Sequence, residues 1–281
     1  SEDEGEEDNT YLSYNMVVGE AADINLSLAF EVLDYALLSA PGAPLKQALL
    51  DAKIGKDIYG SFEDGIKQTY FSIVAKGANL SQKEEFVKVI RDTLTKIMEE
   101  GIDKKAVTAG INYYEFRFRE ADFSSYPKGL MYGLDILSSW LYDDTKPFCE
   151  VQLLEGFEFL KKALEEGYFE DLIRKYLLDN THGAILSLVP EKGLAAKRDK
   201  ELEEKLENYR KSLSDEELTR MVENTKALEA YQESEEDPET LTCIPMLSRE
   251  DIKKEITGLT NEEHHVEDSL FLYHDVCTNG I

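Results

Sequence analysis

Four histidines and three cysteines are the side chains best suited to nucleophilic, acid–base or metal chemistry in this 281-residue chain, so their spacing is the first test of function. His182, His264, His265 and His274 open neither an HExxH nor an HxxEH arrangement. Glu263-His264 comes nearest to the second, but the position that needs the motif's first histidine holds Thr260. The His264-His265 pair, with Glu262, Glu263 and Glu267 around it, reads as an exposed polar loop that binds metal only adventitiously, because adjacent side chains on regular structure point apart. His182 has no Cys or Asp at triad spacing and reads as structural or exposed. A nucleophilic Cys149 would need a thiolate that Asp143, Asp144 and Glu150 oppose, so a buried structural thiol is expected there.

Cys149, Cys243 and Cys277 are far apart and form no CxxC pair, which argues against a disulfide framework or zinc knuckle and fits a reducing compartment. Acidic pairs are too abundant in this chain to mark a general acid and base. No GxGxxG or GxxxxGK[ST] loop supports nucleotide binding. The aromatic group Tyr113, Tyr114, Phe116 and Phe118 reads as core rather than ligand box. The residues therefore suggest no catalytic, metal-binding or cofactor-binding side chain in this chain and leave substrate-binding residues unassigned.

Charge narrows the partners. With 58 acidic against 31 basic residues the formal charge is −27, which opposes phosphate backbones and anionic lipid and favours cationic peptides. Nucleic acid and membrane are excluded as expected partners. No apolar stretch approaches the roughly 18–20 residues of a membrane helix, and the opening Ser1–Asp8 is too acidic for a signal peptide. The missing initiator Met leads to the expectation of a piece excised from a longer chain.

The elements that must position any site alternate between two periods. Tyr11–Val18 is rich in β-formers and ends at Gly19, Lys56–Ser61 and Thr69–Ala75 flank an Asp64-Gly65 turn signal, and His182–Val189 is a last strand stopped by Pro190. Between them, helices are expected from an Asp23 cap to Pro41-Gly42, from Pro44 to Leu50, from a Ser81/Glu84 capping box to Gly101, and from Asp103 to Glu120. Further helical segments follow at 127–141, 151–166 and 169–179. The fold class is α+β, a sheet covered by helices over residues 10–190, after an acidic lead-in linker, 1–9.

From Gly193 to Glu233 the composition shifts to Lys, Glu, Leu, Arg and Ala, the pattern of a long helical hairpin broken near Ser212–Asp215, where Ser214 and Glu217 form a capping box, and the helical-hairpin linker is read over 191–260. Its apolar stripe is narrow: Leu202, Leu206 and Tyr209, then Leu218, Val222 and Leu228. An acidic loop follows at Glu233–Glu239, then a strand-like run at Ser269–Val276, and residues 261–281 read as the truncated start of a further domain.

Several phrases in order along the chain resemble the presequence-protease branch of the insulinase and pitrilysin (inverzincin) zinc metallopeptidases: Leu37–Leu49 continuing through Ile54-Gly-Lys-Asp57, Thr69–Gly77, Cys243–Ile252 and Tyr273–Gly280. The resemblance implies four related α+β domains in two halves, joined by a helical hairpin and enclosing a chamber for unfolded peptides. It puts the zinc ligands and catalytic glutamate in the first domain and a substrate-positioning Arg and Tyr in the fourth, so none is carried over to this chain, which matches the second domain and linker. The implied role is a chamber wall and hinge. Its partners would be the remaining domains of the same polypeptide and unfolded, possibly basic peptides, with zinc held by the parent's first domain. The resemblance implies an intracellular setting, cytoplasmic in a bacterium and the mitochondrial matrix or another organelle lumen in a eukaryote. The alternative is a stand-alone acidic protein-binding or scaffold module of the same fold; a thiol or acid–base enzyme rests on no motif.

Overall fold

The computed structural model describes residues 5, 7–235, 237–244, 248–252 and 261–274. Residues 1–4 and 6 of the acidic opening, Pro245–Leu247, Val276, Cys277 and the Asn279-Gly280 end lie outside the described residues. The chain divides into two compact units, one running to Lys192 and the other beginning at Gly193.

In the first unit, β1 (Thr10–Glu20) pairs antiparallel with β3 (Gln68–Ala78) on one side and β4 (Gly183–Leu188) on the other, and β2 (Asp57–Glu63) completes the order β2-β3-β1-β4. The strict alternation of β1 buries Leu12, Tyr14, Met16 and Val18 and leaves the residues between them half-buried, as a sheet with one covered face requires. Phe71, Ile73 and Ala75 of β3 and Ile58 of β2 share that covered face.

Helix α1 (Ile24–Asp34) lies against it. Asp23 caps the helix by accepting from the Leu26 N–H at 3.2 Å, and Leu26, Leu28, Ala29, Phe30, Val32 and Leu33 are all buried. Such coverage leaves α1 almost no polar face and marks it as the central layer of the core. The Phe30 ring, fully buried, lies 5.7–5.8 Å from the rings of Phe62, Phe71 and Tyr176. A short π-helical segment, Tyr35–Ser39, extends α1 before α2 (Pro44–Asp51) begins.

Two long amphipathic helices follow, α3 (Lys83–Glu100) and α4 (Lys104–Glu120). The capping box ahead of α3 is formed by Asn79 and Gln82, not by the expected Ser81 and Glu84: the Asn79 N–H donates to Gln82 Oε1 at 2.9 Å, so the chain turns into a short 3₁₀ segment two residues earlier. Asp103 caps α4 as its sequence predicts, accepting from Lys105 and Ala106. Gly110 lets α4 cross α1 closely, since a Cβ there would stand 3.1 Å from Tyr35 Cδ1 and 3.3 Å from Val32 Cγ1. Helices α5 (Lys128–Trp140), α6 (Leu154–Ala163) and α7 (Tyr168–Leu172), the last extended by a π-helical segment to Leu178, complete an α+β unit with helices on one face of the sheet.

The second unit contains α8 (Leu194–Ser212) and α9 (Asp215–Gln232), separated by Leu213 and Ser214, then a short α10 (Pro238–Leu241) and a hairpin of β5 (Glu262–Val266) and β6 (Ser269–Tyr273). Ser214 and Glu217 form the expected capping box, with the Glu217 N–H donating to Ser214 Oγ at 3.2 Å. Neither α8 nor α9 buries a residue, and the stripe of Leu202, Leu206, Tyr209, Val222 and Leu228 is exposed. Among the described residues no helix is long and apolar enough to cross a membrane.

Phe30→Ala removes the ring on which three aromatic neighbours close. Urea unfolding is expected to show the first unit losing about 3–5 kcal/mol of stability.

Candidate functional site

The uncovered face of the four-stranded sheet carries a cleft of ≈ 860 Å³. Register places Asn15 of β1 opposite Ser72 of β3 and Ala184 of β4, with Leu186 opposite Ser13 and Leu188 opposite Tyr11. A small polar network fixes this surface: Ser13 Oγ and Ser72 Oγ both donate to Asn15 Oδ1, at 2.9 and 2.7 Å, while Asn15 Nδ2 donates to the Ala184 carbonyl at 3.2 Å. Around it the lining is apolar, with Val17, Ile66, Tyr70, Ala184 and Leu186, and its charged groups are Glu20 and Lys67. Leu186 and Leu188 are 60% and 69% exposed, unusual for strand leucines. Strand β4 is the last in the sheet order, so half of its backbone hydrogen-bonding groups face away from β1.

His182 lines this cleft at the start of β4, held by its backbone: its N–H donates to Asn180 Oδ1 at 2.8 Å and its carbonyl accepts from the Val17 N–H at 3.0 Å. Cys149 lies in a different concavity, half-buried, its thiol within 3.1 Å of Ser139 Oγ and 3.3 Å of the Lys146 carbonyl. Cys243 is exposed, and Cys277 lies outside the described residues. The loop expected at His264-His265 is instead strand β5, with His264 opposite Phe271 and His265 opposite Leu270. The adjacent apolar run Ser269–Tyr273 recruits this acidic segment as its pairing partner, which overrides the strand's poor composition. His264 Nε2 stands 3.4 Å from Glu262 Oε2, and His274 follows β6. Among the described residues no group of three or more His, Cys, Asp or Glu side chains is arranged to hold a metal ion. The described residues therefore offer no ligand set that fits a catalytic zinc.

A second concavity, of ≈ 260 Å³, lies on the helical side between α1, α4, α5 and the start of α6. Sequence reasoning missed it because its acids, Glu31, Asp64, Asp135 and Glu150, are scattered over 120 positions with no motif spacing. Of the aromatic group expected in the core, Tyr114 and Phe118 line this cavity half-buried, while Tyr113 and Phe116 are 44% and 49% exposed. Burial, reinforced by Asp64 and Glu150, pushes the Glu31 carboxyl up to about 8. Burial together with Asp64 and Asp135 takes Glu150 to about 7, and burial also raises Asp64 and Asp135.

Glu31 keeps its proton in the folded state well above 4.5, where the unfolded chain releases it, so its contribution is most favourable at acid pH and is lost progressively as pH rises from about 4.5 to 8. Glu31→Gln abolishes that loss. Thermal melts are expected to show the variant on the order of ten degrees more stable than the parent at pH 8.5 and the difference vanishing near pH 5, at roughly 2–4 °C per kcal/mol for a unit of this size.

A family model described as "Peptidase M16 inactive domain" matches residues 1–114, and one described as "Peptidase M16C associated" matches residues 188–281. Protein HypA of Clostridium perfringens (strain 13 / Type A) is 44% identical over 272 residues, 97% of this chain and 28% of that protein. Presequence protease 1, chloroplastic/mitochondrial, of Arabidopsis thaliana is 34% identical over 264 residues, 92% of this chain and 24% of that protein. The chain thus spans about a quarter of the length of the curated relatives it matches. An inactive peptidase domain from Bordetella parapertussis shares the fold at a TM-score of 0.50 and 10% identity, covering 65% of this chain and 91% of that one.

Proposed function

The chain belongs to the M16 (insulinase-type) peptidase family, of whose inactive domain and M16C-associated segment it is built, and from that premise we propose that it serves as a chamber wall and hinge of a zinc-dependent metallopeptidase acting on unfolded peptides. Residues 10–190 are the wall and 191–260 the hinge, with 261–281 opening the next domain. The reading assigns no catalytic residue to this chain, and leaves zinc and the bond-breaking step to another part of the polypeptide.

The observation that carries the wall is the open sheet face with its unpaired β4 edge. An extended peptide binds such an edge through main-chain hydrogen bonds whatever its sequence, while alternate side chains settle on the apolar groups of the face, here Val17, Tyr70 and Leu186. A wall that accepts unfolded substrates needs this combination of backbone recognition and undemanding apolar contact. The charge of −27 favours basic peptides over acidic ones by long-range attraction, which salt screens within a Debye length of about 8–10 Å.

Two measurements test the reading on the full chain. Atomic spectroscopy is expected to find far less than one zinc per chain, and peptidase assays no cleavage; stoichiometric zinc with turnover would overturn it. Fluorescence anisotropy with a labelled, unstructured basic peptide is expected to show weak binding that falls about tenfold or more in Leu186→Arg, a loss of roughly 1.4 kcal/mol or more. Unchanged affinity in that variant would remove the sheet face from the proposal.

A further inference from the structure

The helical-side cavity is chemically unlike the open sheet face. At ≈ 260 Å³ it falls just below the ~300–1,000 Å³ of drug-sized pockets, and so has room for one side chain or one small molecule. Its carboxylates Glu31, Asp64, Asp135 and Glu150 are faced by a single cation, Arg117. Among the described residues no ion pair joins that guanidinium to any of the four, and it lies over the Tyr113 ring, 5.7 Å from the centroid.

Acidic residues gathered together are not in themselves a site. Two carboxylates here are also left without partners. Glu31 is largely buried, lines the cavity and, among the described residues, accepts no hydrogen bond. Glu150 Oε1 is sealed from solvent and has no hydrogen-bond partner. An ionised carboxylate in that position costs several kcal/mol unless a proton or a cation compensates it. Between the acids the wall is aromatic, formed by Tyr114, Phe118, Phe123, Tyr132 and Phe157.

We infer that this cavity binds an organic cation of the alkylammonium or alkylguanidinium class, its head among Glu31, Asp135 and Glu150 and its hydrocarbon stem against the rings. Aromatic faces attract such cations and accommodate their stems, which a bare metal ion does not exploit. No three of the acids are arranged to hold a metal ion. Burial and the neighbouring acids raise the Glu31 and Glu150 carboxyls, so a cation bound among them competes with their protons. The groups that set this pH dependence are Glu31 and, one turn on, Asp34 of α1, Asp64 of the β2–β3 turn, Tyr114 and Arg117 of α4, Asp135 of α5, and Glu150. Arg117, Asp135 and Glu150 fall in the stretch 115–187 that neither family match covers. The inference is separate from the reading of the sheet face.

Calorimetric titration of the full chain at pH 8.5 tests it with four probes at equal ionic strength: Nα-acetyl-arginine methylamide, agmatine, the neutral Nα-acetyl-norleucine methylamide and magnesium chloride. Both guanidinium probes are expected to bind at pH 8.5 and, when the titration is repeated near pH 6.5, to bind more weakly and with proton release, measured from the dependence of the heat on buffer ionisation, the loss reaching up to about tenfold per pH unit for each proton displaced. Binding of the arginine amide alone would identify a peptide side chain as the source of the cation, and binding of both would show that a free amine suffices. The isosteric double variant Glu31→Gln/Asp135→Asn is expected to lose at least tenfold in affinity, with Asp64→Asn as a second variant should the first fail to fold. Leu186→Arg is expected to leave this binding unchanged, which separates it from failure at the sheet face. Equal binding of the norleucine probe, saturation by magnesium, no binding of either guanidinium probe, or full affinity in the double variant would overturn the inference.

Discussion

A helix packed on every side has nowhere to put a charge, and α1 carries two. Its apolar residues reach the sheet through Phe30 and the crossing helix through Val32, so Glu31 and Asp34 are drawn into the protein by the packing of their neighbours. The fold accommodates each differently. Asp34 lies against β2, where Gly60 has no Cβ to collide with its carboxylate; Ser39 donates to its Oδ2 at 3.1 Å, and its Oδ1 is sealed without a partner. Glu31 opens instead onto a cavity ringed by further acids. Both carboxyls are raised by burial, the cost of the core layer to which they belong.

That layer also gives the first unit two dissimilar surfaces. Beneath the sheet, the helices close over a continuous apolar core that borders a small, acid-rich void; above it, the strands present leucines, tyrosines and a short hydroxyl–amide network to solvent. The open face is nearly neutral although the chain carries −27, so the excess charge acts there through its long-range field rather than by contact.

Local chemistry was readable in the sequence wherever one residue decides the outcome. Asp23, Asp103 and Ser214 cap the helices they were expected to cap, and the period-two pattern of Tyr11–Val18 predicts the face that β1 buries. The α+β class followed from those elements. Where several groups compete, the sequence is ambiguous: Asn79 and Gln82 took the cap from Ser81 and Glu84, and His264-His265 became a strand because of what lies beside it after the turn. The acidic cavity was illegible for a different reason. Its members sit on four separate segments, and in so acidic a chain the tertiary fold alone distinguishes Glu31 or Glu150 from dozens of solvated carboxylates. Their significance comes from lost hydration, which has no local sequence signature.

The pairing of β1 with β4 has a consequence for how the unit is built in time. Its first strand is hydrogen-bonded to its last, and the Asn180 side chain reaches Val17 across 163 residues at 2.7 Å. Contacts of such long range are made late, after loop closure has been offset by more local structure, and they slow folding. On an emerging chain β1 and β3 can pair and gather α1 long before Gly183–Leu188 exists. Until that segment arrives, the flank of β1 stays available to any extended chain nearby, so the strand that closes the sheet also ends the interval in which the nascent unit is vulnerable to mispairing.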